Sequence, residues 1–169
     1  MIDYGTNVVA GITPGKGGLK ALDNTINVYN SVNEAKIATD ANTSIIFVPP
    51  KFAAKAIIEA IDSKIQTIVC ISEGIPVKDM IQVKNKLDNS DTILIGPNCP
   101  GIISVDECKL GIIPGFICKK GRIGILSKSG TLTYEAIDQI IKENFGVSTA
   151  VRIGGDQIIG SDMIDLLEL

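Results

Sequence analysis

Short apolar runs of about four to six residues recur along this chain, and most are followed by a stretch with helical periodicity. Such runs span Asn7–Ile12, Ser44–Val48, Thr67–Ile71, Thr92–Ile95, Arg122–Leu126 and Ser148–Ile153. Helical patterns occupy Ser31–Ala38, Phe52–Ile61, Val77–Leu87, Thr131–Glu143 and Ser161–Leu167. A strand that is apolar on both faces needs cover on both. The alternation therefore predicts an α/β chain with a parallel sheet. Ser31, with Glu34 three residues on, has the spacing of a capping box. The stretch Gly96–Gly121, rich in glycine and proline, is expected to be irregular, and the domain boundary is placed near Lys119.

The 169 residues are 45% apolar, enough to bury a core, but only 4% aromatic and without tryptophan. A net charge of −3, with no strongly basic run, argues against nucleic acid or an anionic membrane as the main partner. Nothing resembles a signal peptide or a membrane span of ~18 apolar residues. Cys70, Cys99, Cys108 and Cys118 form no CxxC pair, and with no histidine in the chain a zinc site is not expected. The same absence removes the commonest acid–base group and leaves Cys99 without a base as a nucleophile.

Candidate chemistry lies in the loops that follow the strands, where open parallel sheets bind their ligands. Ser127, Ser129, Gly130 and Thr131 stand between a strand and a helix. The first N–H groups of that helix have no internal partner, and small residues let an anion approach them. Thr13-Pro-Gly-Lys-Gly-Gly18 follows the first strand, with Lys16 as a mobile positive charge; taken alone, those residues fit a plain turn with a solvated lysine better. Pro49 and Pro50, Ile71-Ser-Glu-Gly-Ile-Pro76 and Gly96-Pro-Asn-Cys-Pro-Gly101 end the next three strands. Each is ordinary turn chemistry alone; together at one sheet edge they predict a ligand cleft. Tyr134 falls in the first turns after the Ser/Gly loop. Gly154-Gly-Asp156 is either a turn or a second wall of the same anion site.

These segments, together with Ser127-Lys-Ser-Gly-Thr-Leu-Thr-Tyr-Glu-Ala136, resemble in order the alpha subunits of succinyl-CoA synthetase, the ADP/GDP-forming succinate–CoA ligases. The resemblance implies a Rossmann-like CoA-binding domain over residues 1–118 and the start of a flavodoxin-like ligase domain over 119–169. It implies that a first strand and glycine-rich CoA loop precede Met1 and that a catalytic phosphohistidine lies beyond Leu169. Coenzyme A contacts would fall to Lys16, Pro49, Ile71, Ser72, Glu73, Asn98, Cys99 and Pro100. Tyr134 would meet substrate, and Ser127, Ser129, Gly130 and Thr131 the phosphate. No catalytic residue and no metal ligand is expected within the chain, so these residues alone would be inactive. The partner would be an ATP-grasp beta subunit carrying nucleotide and Mg, in a mitochondrial matrix or a bacterial cytoplasm. The chain departs from the family's pattern at Lys128, Arg152 and Gln157, where arginine, glycine and proline are usual. A non-catalytic CoA-binding module, ATP-citrate lyase and ADP-forming acetyl-CoA synthetase are the alternative readings.

Overall fold

A computed structural model describes residues 1–168. Its centre is a parallel three-stranded sheet of β4 (Thr43–Ile46), β5 (Thr67–Cys70) and β6 (Ile93–Ile95), in the order β4-β5-β6. Thr67 stands opposite both Thr43 and Ile93, so the three strands start level. Two helices cover one face: α2 (Pro50–Asp62) and α3 (Val77–Leu87). Pro50 sits in the first turn of α2, where its missing N–H costs no hydrogen bond. Ile57, Ala60, Met80 and Val83 meet Ile68, Cys70 and Leu94 in one buried cluster. The alternate residues Val69 and Ile95 face the other way, as the strand period of two requires.

That second face is covered by another sheet. Val69, Ile95 and Cys99 pack with Val151, and with the half-buried Ile102, Leu110 and Leu126. These last residues belong to β7 (Gly101–Ser104), β8 (Cys108–Gly111), β9 (Lys120–Ser127) and β10 (Val147–Arg152), ordered β8-β7-β10-β9. β9 and β10 are parallel and flank α4 (Gly130–Lys142) in sequence; β7 is antiparallel to both β8 and β10. Ile137 of α4 is buried against Ile103, Val147 and Ala150 on the outer face. The stretch expected to be irregular thus holds a β-hairpin. Gly101 and Gly111 stand opposite each other with positive φ, and a Cβ on either would strike the other strand's backbone. Glycine reads as a loop signal in sequence, and here it permits a close strand approach. The sheet so formed runs across residue 118.

The amino-terminal region differs. β1 (Ala10–Ile12) and β3 (Ile26–Tyr29) pair in parallel, and β2 (Lys20–Ala21) pairs antiparallel with β3. The hairpin turn carries Leu22, Asp23 and Asn24 in the left-handed region. α1 (Val32–Thr39) follows, capped by Ser31, whose hydroxyl accepts from the Glu34 N–H at 3.2 Å. The Glu34 carboxylate accepts from the Asn30 N–H, one residue earlier than a capping box would place it. Among the described residues β1 pairs only with β3, and β4 only with β5. The two free edges border a cavity of about 320 Å³ lined by Val8, Ala10, Gly11, Ser44 and Ile45 among others.

α5 (Met163–Leu167) begins at Asp162, whose carboxylate and that of Asp165 complete a reciprocal cap. The expected continuation of this pattern to Leu169 lies outside the described residues. Among the described residues no helix is long and apolar enough to cross a membrane.

Candidate functional site

The carboxyl ends of β5, β6 and β10 come together, and hydrogen bonds knit the loops that follow them. The Asn98 N–H donates to the Ser72 carbonyl at 2.8 Å, and the Gly155 N–H donates to the Asn98 carbonyl at 2.9 Å. Asn98 Nδ2 donates to Asp156 Oδ1 at 2.9 Å, while the Gly74 N–H donates to Asp156 Oδ2 at 3.1 Å. The Ser72 hydroxyl donates to the Val48 carbonyl, bringing in the loop that leads to Pro49. Ile71, Ser72, Asn98 and the exposed Glu73 and Pro49 therefore lie on adjoining loops. Asn98 takes a positive φ of 57° after the cis Gly96–Pro97 bond. Gly96 can carry no side chain, because a Cβ there would come within 2.3 Å of the Cys70 carbonyl oxygen.

Cys99 and Pro100 are buried beneath this surface. The Cys99 thiol donates to the Cys70 carbonyl at 3.3 Å. Burial pushes it up to about 11 and the Cys70 thiol up to about 12. Neither is a thiolate at neutral pH.

The β9–α4 turn lies beside the same loops. Ser129 caps α4, its hydroxyl accepting from the Leu132 N–H at 3.4 Å. The Ser127 hydroxyl accepts from the Ser129 N–H at 3.1 Å and donates to the Ser129 carbonyl. Gly130 and Thr131 open the helix, with Thr131 exposed. Arg152, at the end of β10, donates from Nε to the Lys128 carbonyl at 3.2 Å. A Cβ on Gly130 would lie 3.4 Å from its guanidinium, and one on Gly155 would lie 2.7 Å from Nη2. The guanidinium thus fills the space between the first turn of α4 and the Gly154–Asp156 turn. Tyr134 is half-buried on α4; desolvation raises its hydroxyl, and the Arg152 charge partly offsets this.

Lys16 stands apart. Its turn is exposed and is held from within its own sheet. The Gly15 and Gly17 N–H groups both donate to Asn30 Oδ1 at 2.9 Å, and the Gly18 N–H donates to the Val28 carbonyl. The structure thus links Ser72, Asn98 and, through Arg152, the α4 turn; Glu73 follows Ser72 in sequence, and Tyr134 stands on α4. No hydrogen bond among the described residues joins the Lys16 turn to them. Sequence reasoning missed the roles of Arg152, Asp156 and Asn30. Arg152 left a trace as a charged residue where glycine is usual, and Asp156 as the end of the Gly154–Asp156 turn; Asn30 left none.

Among the described residues no group of three or more His, Cys, Asp or Glu side chains could hold a metal ion. The site offers backbone N–H groups, the Arg152 guanidinium, small hydroxyls and the carboxylates of Glu73 and Asp156, of which Asp156 is held by Gly74 and Asn98. That inventory suits an anionic, phosphate-bearing ligand rather than proton transfer.

Residues 1–74 match the CoA binding domain family. Over 168 residues the chain is 54% identical to the succinate–CoA ligase [ADP-forming] alpha subunit of Staphylococcus epidermidis. It is 53% identical to those of Staphylococcus aureus strains over the same length. The chain is a relative of the succinate–CoA ligase alpha subunits. It spans about half the length of these curated relatives: 99% of this chain aligns with 55% of theirs. A solved structure of Methanothrix soehngenii ATP citrate lyase, in complex with citrate and coenzyme A, superposes with a TM-score of 0.77 at 29% identity. It covers 91% of this chain and 27% of that one. The dinucleotide-forming acetyl-coenzyme A synthetase 1 of Ca. Korarchaeum cryptofilum reaches a TM-score of 0.79 over 99% of this chain and 35% of that one. At 20% identity this last likeness is one of fold.

Proposed function

We propose that this chain supplies the coenzyme A-binding part of a succinate–CoA ligase alpha subunit. The enzyme would interconvert succinate, CoA and nucleoside triphosphate with succinyl-CoA, nucleoside diphosphate and phosphate. The observation that carries this reading is the 54% identity running through 168 residues, which takes in every candidate loop described above. The much lower 29% identity to ATP citrate lyase favours it over that alternative.

In this reading Ser72, Glu73 and Asn98 receive CoA at the strand ends, and Lys16 contributes charge from the β1 turn. The free N–H groups at the start of α4 and the Arg152 guanidinium receive a phosphoryl group, with Tyr134 nearby. The chain has no histidine, so the phosphohistidine would come from outside these 169 residues. Nucleotide and Mg would belong to an ATP-grasp beta subunit. A strand preceding Met1 would have a place to pair, since β1 and β4 leave facing edges on one cavity.

Calorimetric titration of the 169-residue chain with CoA tests the reading. Saturable one-to-one binding, weakened in Lys16→Ala and in Glu73→Ala, is expected. Co-expression with an ATP-grasp beta subunit is expected to give a complex that survives gel filtration. Absence of both CoA binding and complex formation would overturn it.

A further inference from the structure

The segment Ile71–Pro76 is anchored to three other loops, and each anchor is a hydrogen bond to a residue distant in sequence. Ser72 reaches Val48 through its hydroxyl and Asn98 through its carbonyl. Gly74 reaches Asp156, 82 residues away. The other oxygen of the Asp156 carboxylate accepts from Asn98, 58 residues away, at 2.9 Å. One carboxylate therefore takes a donor from the loop after β5 and a donor from the loop after β6, while itself standing on the loop after β10. A carboxylate suits this place because it offers acceptors only, on two oxygens. An amide would present an N–H₂ group to one of two donors unless the Asn98 amide turned to offer its oxygen. Hydrogen bonds to an ionised acceptor are also the stronger ones. The three loops are conformationally unusual where they meet: φ is +74° at Gly74, +57° at Asn98 and +125° at Gly154. Such backbone persists where the surroundings determine it.

We infer that Asp156 is a positioning residue: its carboxylate holds Ser72–Gly74 in the conformation that receives the ligand, and it does so without touching that ligand. The inference rests on the proposed CoA role of this segment and adds to it the group that shapes the site. Asn98 shares the task, since its side chain binds the carboxylate while its backbone binds Ser72 and Gly155.

The test uses the 169-residue chain as wild type, D156A, D156S and the exchanged pair N98D/D156N. Amide hydrogen exchange at Gly74 is read by NMR, and CoA affinity by calorimetry. D156A should speed exchange at Gly74 and weaken CoA by roughly tenfold each, the scale of one hydrogen bond to a charged group. Exchange at Val69, in the core of β5, should not change. In N98D/D156N donor and acceptor trade places, both bonds can re-form, and Gly74 protection and CoA affinity should recover. Should D156A fail to fold, D156S, whose hydroxyl is too short to reach both donors, carries the same comparison. Unchanged exchange at Gly74 would overturn the tether. Faster exchange with undiminished CoA affinity, or no recovery in the exchanged pair, would overturn the positioning role. A wild-type chain that protects Gly74 yet binds no CoA would instead refute the CoA reading, and the exchange data would still decide the tether.

Discussion

The sheet β4-β5-β6 and the sheet β1-β3-β2 are both three-stranded, yet they are stabilised in opposite ways. In the first, Ile46, Ile68, Val69, Cys70, Leu94 and Ile95 are all buried, between helices on one face and a second sheet on the other. In the second, only Ile26 among the strand residues is buried, and Ile12 is 38% exposed. The difference teaches that strand pairing alone does not make a core. The β1 sheet has ladder hydrogen bonds but little apolar surface to remove from water, and burial is the dominant favourable contribution to folding. The better-buried sheet also carries the linked loops of the candidate site, whereas the Lys16 turn stands on the poorly covered one. Rigid support and the exposed Lys16 charge thus stand on different sheets.

The sharpest contrast is a pair of truncations. Ile68→Ala, at a fully buried position, should cost about 2–5 kcal/mol in denaturant unfolding through lost transfer energy and a residual cavity. Ile12→Ala should cost about 0.5 kcal/mol or less, as surface changes do. Equal costs would mean that the β1 edge is covered in solution, and the contrast between the two sheets would fall.

Glycines give the next contrast. Gly96→Ala would place a methyl 2.3 Å from the Cys70 carbonyl oxygen at a φ of +99°, so sterics and backbone conformation both oppose it. Gly18→Ala meets nothing within 4 Å and bears only its φ of +87°. We expect about 1–2 kcal/mol for Gly18→Ala from conformation alone, and clearly more for Gly96→Ala. Thermal melts of both variants decide it. A Gly96→Ala chain as stable as Gly18→Ala would show that the β5–β6 loops yield easily, contrary to their hydrogen-bonded description.

The same two regions differ in how far the sequence revealed them. The core of the parallel sheet was legible because its signals are local. Val77–Leu87 forms a helix with the expected ends, and the runs at 44, 67 and 92 form strands. The hairpins 20–29 and 101–111 were not legible. Their strands are two to four residues long, too short for a period of two to register. Glycine, asparagine and aspartate in them also read as loop. The site divides likewise. Ser72, Asn98 and Ser129 could be named because they follow strands. Asp156 as an acceptor for Gly74, and Arg152 as a neighbour of Gly130 and Gly155, depend on contacts across many residues that no local pattern encodes.

A last, small effect isolates the poorly covered sheet itself. Asn30 Oδ1 accepts from both Gly15 and Gly17, and these bonds are solvent-exposed. Replacing Asn30 with alanine leaves those N–H groups to water, so no buried donor is orphaned and the full desolvation penalty does not arise. Global stability should fall by only about 0.5–1 kcal/mol. The local consequence should be larger, because Lys16 lies between the two tethered glycines. Amide exchange at Gly15 and Gly17 should rise while that at Leu94 does not. A CoA contact from Lys16 would weaken through the added freedom of the turn rather than through any lost charge. If exchange at Leu94 rose in parallel, opening of the Lys16 turn would be coupled to the buried sheet, and the two regions would fold as one cooperative unit rather than as a rigid support with a loosely held neighbour.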